Sequence, residues 1–134
     1  MLLSKDNSEQ TAWHKAAESG EVDILQKLWD LDKELQLKPE ELRNDLLLSK
    51  DESEETAWHK AAQKGEFEIL QKLWNWAKEL QIKPEELRNE LLLSKDMYRE
   101  TAWHKAIKRG KFEILQKLWD FAKELQLKPE ELRN

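Results

Sequence analysis

By residue type, the positions best suited to chemistry are three histidines. His14, His59 and His104 each lie three residues after a threonine (Thr11, Thr56 and Thr101), and 45 residues separate each from the next. An imidazole can ligate a metal or exchange a proton near neutral pH. Zinc ligation needs several such nitrogens within about 2 Å of one ion, whereas residues carried once per layer of stacked helices stand about 10 Å apart. The Thr-to-His spacing suits a hydrogen bond back around the start of a helix, so a structural role is expected for all three. Seven tryptophans come next. Exposed aromatic rings can stack nucleic-acid bases. Yet Trp13, Trp58 and Trp103, and likewise Trp29, Trp74 and Trp119, recur at the same spacing as the histidines, as core residues of a repeated unit would. Trp76 replaces Leu31 and Phe121 of the matching positions and is expected to pack against a third helix. Cysteine is absent, which removes disulfides, thiolate nucleophiles and cysteine-ligated zinc. No carboxylate accompanies a serine in a nucleophile-like pattern. No catalysis, cofactor, metal or small-molecule substrate is expected.

The spacing of 45 governs the whole chain. Units 1–45, 46–90 and 91–134 align without gaps; over 44 positions the first two differ at 11 and the last two at 10. All three glycines (20, 65, 110) and all three prolines (39, 84, 129) fall on equivalent positions. In the second unit Thr56 suits an N-cap, Ala57, Trp58, Ala61 and Ala62 follow at helical spacing, and Gly65 suits a C-cap. Ile69, Leu70, Leu73, Trp74, Ala77 and Leu80 then mark a second helix running to about Gln81. Pro84, with Glu85 and Glu86 behind it, opens a third helix to about Leu93. Helices this short cannot bury their apolar stripes alone, so the expected fold is all-α: one domain, 1–134, of three stacked units with about three helices each, an α-solenoid.

The stretch Thr56-Ala57-Trp58-His59-Lys60-Ala61-Ala62-Gln63-Lys64-Gly65-Glu66-Phe67-Glu68-Ile69-Leu70 resembles the ankyrin repeat, with its Thr-Pro-Leu-His, Ala-Ala-x-x-Gly and Glu-Ile-Val landmarks. The resemblance covers 15 residues of each unit. It implies a helix-turn-helix pair with a sideways loop, and a surface of loop tips and first helices that binds other proteins without catalysis. Three features depart from it. The unit exceeds the family's roughly 33 residues, with the surplus near Leu80 to Glu90. Ala57 and Trp58 stand where Pro and Leu are usual. The segment Asp51 to Glu55 lacks the Asp-x-x-Gly turn, which leaves a plain loop or an early helix start. A HEAT- or armadillo-like solenoid, with a period of about 40–47, is the alternative.

Differences between units point to partners. Unit 3 has Met97, Tyr98 and Arg99 for Glu52, Ser53 and Glu54; Ile107, Lys108 and Arg109 for Ala62, Gln63 and Lys64; and Lys111 for Glu66. These loop-tip and first-helix positions form a candidate hot spot for a protein partner, against the alternative of drift at tolerant surface positions. The units carry net charges of −5, −3 and +3, so an acidic head and a basic tail favour head-to-tail self-association. Asp32 for Ala77 and Ala122, and Val22 for Phe67 and Phe112, give unit 1 a mildly cap-like face. Unit 3 shows no such softening. The overall charge of −5 and pI near 5.4 argue against nucleic acid as a partner, although Arg99, Lys105, Lys108, Arg109 and Lys111 are the residues that would serve it. With 38% charged residues and no apolar run near 18 residues, no membrane association is expected. The start, Met1 to Asp6, lacks the basic flank and apolar stretch of a secretion signal, so a natural protein of this sequence is expected to be intracellular and cytoplasmic. Near-identical units and whole-unit boundaries fit an engineered or consensus repeat protein, and equally an excerpt of a duplicated natural array.

Overall fold

The computed structural model describes residues 12–35 and 49–133, and among them the regular elements are all helical. Helices α1 (Ala12–Ser19) and α2 (Val22–Glu34) form one hairpin, α3 (Ala57–Lys64) and α4 (Phe67–Glu79) a second. The short α5 (Pro84–Glu86) leads into a π-helical stretch, Leu87–Leu92. A third hairpin follows, α6 (Ala102–Lys108) and α7 (Phe112–Glu124), and then α8 (Pro129–Arg133). The Thr11 cap and the third helix expected near Pro39 lie outside the described residues.

Local chemistry sets the boundaries. Thr56 is extended, and its hydroxyl accepts the His59 backbone N–H at 3.3 Å. Gly65 closes α3 at φ 76°, a left-handed conformation that a side chain would strain. Helix α4 stops at Glu79, short of the expected Gln81, because Gln81 is itself left-handed (φ 58°). The amides of Gln81 and Ile82 then turn back to the carbonyls of Lys78 and Ala77. The third helix occupies nearly its expected span but widens after Glu86, with the Leu93 N–H donating to the Arg88 carbonyl five residues back. That wider turn accompanies the burial of Leu87, Leu91 and Leu92.

Packing repeats along the chain in two layers. In one, α1 lies against α3 and α3 against α6. Buried alanines (Ala16, Ala17, Ala57, Ala61, Ala62, Ala102, Ala106) let these helices approach closely. In the other, α2 meets α4 and α4 meets α7 through large side chains. The rings of Trp13 and Trp29 close around Trp76, with centroids 5.4 and 4.7 Å away. Trp58 and Trp74 close around Phe121 in the same way, at 5.7 and 4.4 Å. Trp76 therefore packs on the preceding hairpin, where the sequence suggested its own third helix. Trp13, Trp29, Trp58 and Trp74 are buried as expected, whereas Trp103 and Trp119, at the end of the stack, are only partly covered. Among the described residues no helix is long and apolar enough to cross a membrane.

Candidate functional site

The turns before α3 and α6 are where the described residues concentrate buried charge. The sequence suggested a plain loop or an early helix start at Asp51–Glu55, and the structure has a tight turn instead. The Asp51 carboxylate accepts the N–H groups of Ser53 and Glu55 at 2.9 and 3.0 Å, and the Glu54 N–H donates to the Asp51 carbonyl. Asp96 repeats the arrangement with Tyr98 and Glu100, both at 2.9 Å. Glu54 and Arg99 occupy the place where the ankyrin turn has glycine, and both are left-handed, at φ 61° and 62°. The turn forms without the glycine and retains the strain of a side chain in that region. Successive turns are joined by the Met97 N–H donating to the Ser53 carbonyl at 2.9 Å.

The carboxylates organised by these turns face buried lysines of the first helices. Lys60 Nζ lies 3.0 Å from Asp51 and 3.2 Å from Glu55. The other oxygen of Glu55 reaches across the junction to Lys105 at 2.7 Å; Lys105 also meets Asp96 at 2.7 Å and Glu100 at 3.5 Å. Glu100 then pairs with Lys108 at 2.9 Å. A ladder of alternating charge thus runs from Lys60 through Glu55, Lys105 and Glu100 to Lys108. Burial alone would push the Lys105 ammonium down, but the carboxylates of Asp96 and Glu55 outweigh it and raise its pKa to about 12. Burial likewise raises the Asp96 and Asp51 carboxyls, and their lysines and turn N–H groups overcome it and hold them below the ordinary carboxylate value. Lys108, before any other group, holds Glu100 low.

His59 ties the start of α3 to the loop of the next unit. His59 Nδ1 accepts the Thr56 backbone N–H at 3.2 Å, and its Nε2–H donates to the Ser94 carbonyl of the next unit at 2.8 Å. A carbonyl can only accept, so the proton sits on Nε2. Burial, opposed in part by the Ser94 carbonyl, pushes the His59 pKa below its ordinary value. His14 Nε2 meets the Ser49 carbonyl at 2.8 Å, and His104 repeats the cap contact with Thr101. Among the described residues no three His, Cys, Asp or Glu side chains cluster as a metal site would require.

The candidate partner residues divide into groups. Tyr98, Lys108 and Arg109 line one cleft of about 310 Å³, together with Gln63, Glu100 and Lys105. The cleft straddles the α3–α6 junction beside the turn tips. Met97, Tyr98 and Ile107 are more than half exposed, and Arg99 lies exposed on the turn next to Tyr98. Lys111 is set apart, in a second depression with Gly65, Gly110 and Phe112. Sequence reasoning missed the charged ladder. Its trace is a lysine at 15, 60 and 105 within an otherwise apolar helix face, and an aspartate at 6, 51 and 96 nine residues before each. Comparison with protein-family models and with curated proteins finds no match for this chain.

Proposed function

We propose that this protein is a non-catalytic helical-repeat scaffold for protein–protein interaction, an ankyrin-like stack of three 45-residue units whose third unit captures an acidic segment of a partner. The observation that carries the reading is the cleft at the α3–α6 junction. Three cations (Lys105, Lys108, Arg109) and one carboxylate (Glu100) line it beside the ring of Tyr98. Lys105 and Lys108 are paired internally, which leaves Arg109 and the Tyr98 face as the groups best placed to engage a ligand. Tyrosine and arginine are the residue types that most often dominate binding energy. In unit 2 the matching turn and helix positions hold Ser53, Gln63 and Lys64, so the surface is specific to unit 3.

Fluorescence-anisotropy titration of labelled Asp/Glu-rich peptides tests this at low salt. A bound peptide should lose more than about 2 kcal/mol of affinity to Tyr98→Ala combined with Arg109→Ala. Equal affinity for the double variant removes the cleft from consideration. The near-identity of the units also favours a second reading, an engineered stack whose architecture is its purpose; that reading predicts no binding to any peptide in the panel.

A further inference from the structure

The two ends of the stack carry the two halves of a contact that the chain already makes twice internally. At each internal junction a tryptophan pair from the leading hairpin closes on one ring of the next: Trp13 and Trp29 on Trp76, Trp58 and Trp74 on Phe121. Trp103 and Trp119 are the same pair in the last hairpin. They are only partly covered, as is Leu115, whose counterparts Leu25 and Leu70 are fully buried. At the opposite end Leu31 occupies the slot of Trp76 and Phe121 and is 38% exposed. Ile24 is 50% exposed there, where Ile69 and Ile114 are essentially buried.

Charge follows the same logic. Each internal junction sets a lysine of the leading hairpin on a glutamate of the next, Lys33 on Glu79 at 2.8 Å and Lys78 on Glu124 at 2.6 Å. Lys123 and Glu34 occupy the matching positions at the two ends. The ends also differ in sign, −5 for unit 1 and +3 for unit 3.

We propose that the open face of Trp103, Leu115 and Trp119 docks the Ile24–Leu31 face of a second copy of this chain, in the register of the internal junctions. The contact is head-to-tail, so each added copy presents the same free face to another and association proceeds beyond a dimer. One position holds it weak. Ile107 replaces Ala17 and Ala62, both fully buried at internal junctions, and a larger side chain in a close helix contact opposes docking. The proposal rests on the stacked-unit reading but uses neither Tyr98 nor Arg109. Failure here therefore leaves the acidic-partner cleft standing, and failure of the cleft leaves the end faces standing.

Sedimentation equilibrium on the full chain tests it at low salt, up to ~1 mM, the range of weak contacts. The weight-average mass should rise with concentration above 16.1 kDa. Ile107→Ala should bring the rise to a concentration about tenfold lower. Leu31→Lys, at an exposed position on the opposite face, should abolish it, and circular dichroism should confirm that this variant remains folded. A monomeric mass for both the wild type and the Ile107→Ala variant across the whole range overturns the proposal. So does association that persists undiminished in Leu31→Lys.

Discussion

Between α3 and α6 the buried contacts are alanines and an ammonium among carboxylates; toward α7, Trp58 of α3 and Trp74 of α4 grip Phe121. Both belong to the same junction, yet they contribute differently. Apolar burial supplies most of the free energy and is indifferent to direction. A buried ion cluster costs nearly as much in desolvation as it returns. The aromatic cluster is therefore expected to supply most of the stability, while the ion pairs join one turn to the next helix. Those pairs also line the cleft, to which Lys105 and Glu100 belong.

The largest expected effect lies in the aromatic layer. Trp58→Ala should cost about 3–5 kcal/mol in urea unfolding. Trp58→Phe should cost less than about 1.5 kcal/mol, because the buried indole N–H has no hydrogen-bond partner to lose. An alanine cost below about 1 kcal/mol would move the source of stability elsewhere. Among the ion pairs, Lys105→Met should cost about 3 kcal/mol near neutral pH, since it strands Asp96 without its cation and leaves Glu55 only Lys60. That penalty should shrink in acid as the carboxylates protonate, and a pH-independent penalty would mean that only packing was lost.

The wild type itself should reveal the ladder through pH. Asp51, Asp96 and Glu100 titrate below their ordinary values of 3.8, 3.8 and 4.5. The unfolded chain therefore takes up protons first, and stability falls as pH drops through and below that range. His59, held below 6.5, has the same sign and starts the decline at higher pH. Lys105, raised from 10.5 to about 12, acts oppositely: its contribution is complete below 10.5 and is lost as pH climbs toward 12. His59→Gln should remove the part of the acid slope that begins near 6.5, and an unchanged slope would sever the histidine from it.

Smaller still, Arg99→Gly should gain up to about 1 kcal/mol by relieving the left-handed strain. Destabilisation would show that the arginine side chain contributes more than its backbone costs. Last, Glu79→Gln should change stability by less than about 1 kcal/mol, because its pair with Lys33 is half exposed.

Periodicity and caps made the helices legible, since Thr56 and Gly65 act locally and the apolar spacing is strong. The partner of Trp76 was not legible. Spacing places a residue on a helix face, but which neighbouring helix meets that face is a tertiary fact. The turn was missed because its expected glycine is replaced by Glu54 and Arg99, so the usual backbone signal is absent although the backbone conformation persists. The ladder was missed for another reason. A lysine in a charged sequence looks solvated until its buried carboxylates, contributed by two different turns, are seen around it. The exposed Met97, Tyr98 and Ile107 stood out in sequence because they differ between units, and the structure places them on the surface.

The central claim is that a unit holds its structure by leaning on its neighbour, and a 45-residue peptide spanning 46–90 tests it most directly. In the intact chain Trp58, Ala61, Ala62 and Leu70 are all buried, and α3 packs on both α1 and α6. Without those neighbours the peptide should give a largely unfolded far-ultraviolet circular dichroism spectrum and no cooperative thermal transition. A cooperative transition with stability above about 2 kcal/mol would contradict the claim.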